Sequence, residues 1–395
     1  MELSQRVQNL TPSQTLAITA KATELKAQGV DVIGLGAGEP DFNTPDEIIE
    51  KAFEAVKDGA TKYTPAAGVP ELKSAIAEKM MRDHQLEYEP AEIFVASGAK
   101  HVLYNVFQAL VDDGDEVIIP SPYWVSYTEQ VKLADGTPVL VHTDESTAFK
   151  LTPELLKENI TEKTKILMLN SPNNPTGMVY SKAELEALAE VVLDNDLIVV
   201  ADEIYEVLVY DTEHYSIASV SEEMKARTVV INGVSKSHAM TGWRIGYACG
   251  DKALIKGLTG LASQSTSNPA SPSQWAAVAA YGMDEGFLEE FNQTFRDRRD
   301  HAYALLEEIP HTTCIKPDGA FYLFPNFKEC TVKMGYATVD DFVKDLIEEA
   351  HVAVVPGSAF GLDDNIRISY STSKEMMTEA MTRIKNFVTE RLEGA

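Results

Sequence analysis

Cysteine is scarce in this 395-residue chain, which has only Cys249, Cys314 and Cys330, far apart and without a CxxC pair. An odd, scattered set argues against a disulfide framework and a thiolate zinc site, so reduced thiols and no metal are expected. Basic residues are also few: 34 Lys and Arg stand against 61 Asp and Glu, a formal net charge of −27. Such a field repels phosphate backbones, which makes nucleic acid a poor partner. The acid is spread through segments such as Glu184-Leu-Glu186 and Glu348-Glu349, the pattern of a solvated surface. Long apolar runs are missing, and Met1-Glu-Leu-Ser-Gln-Arg6 lacks the basic and then apolar regions of a secretory signal. A cytoplasmic protein with no membrane association is expected. Nucleotide loops are missing as well. In Gly34-x-Gly36-x-Gly38 the third glycine of GxGxxG would fall on Glu39, and no GxxxxGK[ST] occurs.

What is present describes a packed α/β protein. The chain is longer than one hydrophobic core supports, so two domains are expected. Thr44-Pro45-Asp46-Glu47 joins an N-cap, a proline at the first helical position and a capping-box glutamate. Thr152-Pro153 and Ser181-x-x-Glu184 repeat the start signal. Between helices lie short apolar runs: Ile93 to Ala96, Val117 to Ile119, Ile166 to Leu169, Leu197 to Ala201 and Val229 to Ile231. Runs apolar on both faces and separated by helices predict a mostly parallel sheet covered on both sides. Past about residue 290 the pattern changes, with Ala320 to Phe324, Val352 to Val355 and Asn365 to Ser369 interleaved with helices. A large domain over 46–290 and a smaller α/β domain built from 1–45 and 291–395 are expected.

In open α/β sheets ligands bind beyond the carboxyl ends of the strands. The five runs are followed by Ser97-Gly98-Ala99-Lys100, Ser121-Pro-Tyr123-Trp124, Asn170 to Gly177, Asp202-Glu-Ile-Tyr205 and Asn232-Gly-Val-Ser-Lys236. One site assembled in five pieces is expected. Each piece alone fits two readings. Ser97-Gly98-Ala99 is a small-residue helix cap or an anion site made by free amides. Lys236 is a solvated charge or, near the cation Arg244, a nucleophile toward a carbonyl. Asp202 caps a turn or keeps a pyridine nitrogen protonated, while Tyr205 is core or a donor to a ring hydroxyl. Arg367, in Ile366-Arg-Ile-Ser369, makes a surface salt bridge or clamps a carboxylate.

Taken in order, Asn173-Asn174-Pro-Thr-Gly177, Asp202-x-x-Tyr205, Ser235-Lys236-x7-Arg244 and Arg367 resemble the class I aminotransferases of pyridoxal-phosphate (PLP) fold type I. The resemblance runs from Gly36-Ala-Gly-Glu-Pro-Asp-Phe42 to Arg367. It implies that Lys236 holds PLP as a Schiff base and that Asp202 pairs with the pyridinium nitrogen. Tyr205 and Asn174 would bond the ring hydroxyl, and Trp124 would stack on the ring. Gly98, Ala99, Lys100, Ser235 and Arg244 would hold the phosphate, with Tyr63 reaching the phosphate of a neighbouring subunit in a homodimer. Arg367 would clamp the substrate α-carboxylate beside Gly38.

The same resemblance implies a double displacement on amino acids and 2-oxo acids. In many relatives an arginine binds the distal carboxylate, but the matching stretch Ala262 to Asn268 has none. A bacterial subgroup uses a lysine at the position of Lys100, with Ser13 and Thr15 as polar helpers, which implies aspartate with 2-oxoglutarate. Aromatic amino acids or prephenate are the alternative substrates, although Thr11 stands where prephenate-using members carry a lysine. A PLP-dependent C–S lyase is the alternative chemistry. A PLP-binding transcription regulator is disfavoured by the charge.

Overall fold

Each of the five apolar runs becomes a strand of one sheet, because each buries side chains on both faces. The computed structural model describes residues 2–12, 14–284 and 286–394. The strands are β1 (Ile93–Ala96), β2 (Glu116–Ser121), β3 (Thr137–His142), β4 (Thr164–Asn170), β5 (Ile198–Asp202), β6 (Thr228–Gly233) and β7 (Gly246–Cys249). They form a seven-stranded sheet in the order β1-β7-β6-β5-β4-β2-β3. All pairings are parallel except those of β7, which runs against both β1 and β6. In β2, Val117 and Ile119 enter one apolar cluster while Ile118 enters another. That division explains why the sequence of a doubly covered strand shows no polar alternation.

The sequence reading passed over β3 and β7. Strand β3 is an edge strand, and its Leu140 is half exposed. Strand β7 is fully buried but only four residues long and opens on a glycine.

Two of the three helix starts are capped as expected. Ser181 and Glu184 make a reciprocal capping box, and the Thr152 side chain accepts from the Leu155 amide. The third differs. The helix begins at Asp46, and the Thr44 hydroxyl donates instead to the Ala239 carbonyl at 2.8 Å and accepts from the Trp243 indole at 3.0 Å. A tertiary tie beside the Lys236 segment has replaced the local cap.

The C-terminal region forms its own antiparallel sheet from β8 (Tyr322–Leu323), β9 (Val355–Pro356) and β10 (Ile366–Ser369), with β10 in the middle. The pair Ile33–Gly34 adds in parallel to Val352–Ala353, which joins an early segment of the chain to this C-terminal region. Helices Gly286–Leu306 and Lys374–Gly394 cover this region with Phe291, Phe295, Met377 and Ile384. The same apolar cluster takes in Ile204 and Tyr205, which fixes β10 against the carboxyl end of β5. Among the described residues no helix is long and apolar enough to cross a membrane.

Candidate active site

The carboxyl ends of the large sheet and the flank of β10 enclose a cavity of about 680 Å³. Lys236 lines it from the short helical turn Val234–Ser237 directly after β6. Its ammonium donates to the Gly38 carbonyl and lies 5.9 Å from the centre of the Tyr205 ring. Burial lowers its pKa to about 8, with Arg367 and Arg244 pushing the same way against Glu39 and Asp202. A lysine in this state has neutral amine available near physiological pH.

Asp202, the last residue of β5, is buried, and burial raises its pKa to about 6. Two donors hold the carboxylate in place: the Tyr127 hydroxyl at 2.8 Å and the Ile204 amide at 3.3 Å. Tyr205 lines the cavity one turn later, and its hydroxyl shares a 2.8 Å hydrogen bond with Tyr322. Tyr127 and Tyr322 carried no role in the sequence reading. An aromatic on a helix or strand reads as core, and only the assembled fold shows where its hydroxyl points.

The first turn of the helix Ala99–Leu110 faces the same cavity. The Gly98 amide already donates to the Ala96 carbonyl, whereas the Ala99 and Lys100 amides have no recorded acceptor among the described residues. Gly98 has φ +87°, and a side chain there would strike the Arg244 guanidinium. The glycine therefore lets that cation lie across the helix start. Arg244 spends two of its donors on the Thr241 and Ser97 carbonyls, at 2.8 and 3.3 Å, and Ser235 borders the cavity beside it. Two free amides, a helix N-terminus and a guanidinium without a carboxylate partner among the described residues fit a bound phosphate group.

Arg367 is buried, which overturns the surface salt bridge that its sequence left open. Its guanidinium donates to the Asn174 side-chain oxygen at 2.9 Å and to the Gly36 carbonyl at 2.8 Å, while Nε has no partner. The Tyr322 and Phe360 rings lie 4.4 and 4.8 Å from it. No carboxylate among the described residues neutralises it, and its position on the cavity wall suits an incoming one.

Lys100 and Trp124 also line the cavity, with the ammonium 4.7 Å from the centre of the indole. Thr15 comes to the lining from the helix Gln14–Ala27, and Ser13 lies outside the described residues. Gly38 and Asn174 are brought in as well. Tyr63 is not among the lining residues and is 90% exposed. Glu39, unassigned by the sequence reading, lines the cavity and accepts from Thr241 at 2.7 Å. It lies within Gly36 to Phe42, where the resemblance assigns a role to Gly38 alone.

The chain is similar to known proteins over nearly its whole length. Residues 30–384 match the family model of aminotransferase class I and II. The aspartate aminotransferase of Bacillus subtilis is 58% identical over 389 residues, 98% of this chain and 99% of that protein. A probable aspartate/prephenate aminotransferase of Aquifex aeolicus is 47% identical, covering 98% and 99% of the two chains. Among solved structures, the Rhizobium meliloti aspartate aminotransferase superposes with a TM-score of 0.95 at 44% identity, covering 98% of this chain and 99% of that one. The Thermus thermophilus enzyme with maleate gives 0.93 at 44%, with the same coverage. With a cavity that gathers a lysine of lowered proton affinity, an anion cradle and an unneutralised arginine, the chain is a member of the class I and II aminotransferases.

Proposed function

We propose that this aminotransferase moves the amino group of L-aspartate to 2-oxoglutarate, forming oxaloacetate and L-glutamate, with PLP as cofactor and Lys236 as the residue that holds it. The observation that carries the reading is the position of Lys236, with its lowered proton affinity, in one cavity with buried Asp202 and buried Arg367. When bound, PLP supplies an electron sink for negative charge at the substrate α-carbon.

The residues divide the remaining work. The Ala99 and Lys100 amides at the Gly98 cap, together with Ser235 and Arg244, hold the phosphate. Asp202 keeps a proton on the ring nitrogen, steadied by Tyr127. Tyr205 and Asn174 take the ring hydroxyl, and Trp124 covers the ring face. Arg367 receives the substrate α-carboxylate beside Gly38 and fixes the orientation of the α-carbon. The Lys236 amine removes the α-proton and returns it on the other side of the exchange.

Lys100, with Thr15 and Ser13 nearby, receives the distal carboxylate of a dicarboxylic substrate. Support comes from the place of Lys100 on the cavity wall beside Trp124 and from the relative solved with maleate, a four-carbon dicarboxylate. Exposed Tyr63 completes the phosphate site of a second copy in a homodimer, and the protein works in the cytoplasm. Rapid mixing of the holoenzyme with aspartate is expected to give oxaloacetate and the pyridoxamine form of the cofactor in one turnover. Release of ammonia and pyruvate instead would refute transamination.

A further inference from the structure

The turn that carries Asp202 and Tyr205 into the cavity carries two further acids. Asp202 and Tyr205 line the cavity, while Glu203 and Glu206 gather with His84 and His214 outside its lining. His84 ends the helix Pro70–His84, and His214 belongs to the loop after Tyr210. All four side chains are less than a tenth exposed. One donor atom from each lies within 4.8 Å of the others.

The cluster is incompletely satisfied. His84 Nε2 meets Glu206 Oε2 at 2.6 Å, but His214 Nε2 and Glu203 Oε2 stand 3.4 Å apart. Glu203 Oε2 and both ring nitrogens of His214 form no hydrogen bond. Buried polar atoms almost always find a partner, and here three without one sit together.

We propose that His84, Glu203, Glu206 and His214 bind a divalent transition-metal cation of the zinc class. Two imidazoles and two carboxylates, one atom each, make a four-coordinate set suited to zinc, whereas calcium and magnesium take oxygen ligands. Cysteine scarcity excludes only thiolate ligation.

Charge points the same way. Lys79 pairs with the other oxygen of Glu206 and lies 3.4 Å from Asp83. Arg82 also holds Asp83, at 2.6 Å, so Lys79 and Arg82 against Glu203, Glu206 and Asp83 leave one negative charge in the group for a cation to meet. Lys79 Nζ also stands 3.1 Å from His84 Nε2, so metal binding requires the ammonium to leave that nitrogen while keeping Glu206 Oε1. The ion would tie the end of the helix Pro70–His84 and the His214 loop to the turn that carries Asp202. It belongs to the support of the active site and takes no part in the transfer.

The test uses chelator-treated holoenzyme dialysed against zinc chloride, followed by elemental analysis. About one zinc per chain is expected, and His214→Ala should weaken binding by at least ~100-fold. X-ray absorption should report nitrogen and oxygen ligands without sulfur. Because a variant can fail to fold, zinc-treated crystals of the unaltered holoenzyme are measured on both sides of the zinc edge. An anomalous peak between the four side chains supports the site. A stoichiometry well below one, a peak elsewhere, or unchanged binding in a folded His214→Ala protein overturns it; a self-contained proton-sharing network would give that result.

Discussion

Two arginines are almost fully buried among the described residues, and their surroundings differ in one respect. Arg299, on the seam between the helix Gly286–Leu306 and the loop at Pro317, ion-pairs with Asp211 at 2.7 Å and Asp300 at 2.8 Å. It also donates to the Pro317 carbonyl at 3.1 Å, and its pKa is raised despite burial. Arg367, on the cavity wall, has only neutral partners, and burial lowers its pKa. Both stack against tyrosine rings, so packing does not separate them. The first is neutralised by the fold. The second keeps an unpaired charge at a stability cost that a folded chain avoids unless a ligand later supplies the counter-charge.

Exchanging each arginine for methionine tests that difference. Arg367→Met should lower kcat/KM for aspartate by ~10³-fold while leaving the folded protein as stable as before, or more so. Arg299→Met should leave kcat/KM per folded molecule nearly unchanged and cost about 1–3 kcal/mol in denaturant titration. Loss of stability in the first and of activity in the second would reverse the assignment.

Asp202 extends the comparison to an acid. Folding raises its pKa from 3.8 to about 6. The native apoprotein therefore binds more protons than the unfolded chain between those values, so the cost is absent below pH ~4 and complete above pH ~6. Asp202→Asn should raise apoprotein stability at pH 8 by about 1–3 kcal/mol while lowering turnover of the PLP-loaded enzyme by ~100-fold. A variant apoprotein no more stable than its parent would show that Tyr127 and the Ile204 amide already compensate the charge.

Lys100 should show the smallest effect because it is exposed to solvent. Lys100→Ala should reduce single-turnover efficiency with aspartate by ~10-fold and leave tyrosine nearly unaffected. Equal losses for aspartate, tyrosine and prephenate would remove its role in choosing the distal carboxylate.

The sheet and most of the cavity wall were legible because burial on both faces writes continuous apolar runs, and parallel strands then bring their ends together. Asp202, Asn174 and Lys236 follow such runs and share one cavity. Strand β7 was not legible: its four residues begin at Gly246, a position where a side chain would strike the Ala99 backbone. That glycine is fixed by the helix docked against it, a partner remote in sequence. Thr44 shows the same limit, since its hydroxyl serves Ala239 and Trp243 rather than its own helix. The group of His84, Glu203, Glu206 and His214 leaves only the pair Glu203-x-x-Glu206 as a spacing signal, because the two histidines come from a helix end and a loop away from that turn.

Lys236 is proposed to hold the cofactor amid charges that the fold leaves unpaired. Borohydride reduction of the holoenzyme followed by peptide mapping tests it most directly. A single stable label is expected on the peptide containing Ser235-Lys236-Ser237; a label on Lys100 or any other lysine would contradict that role for Lys236.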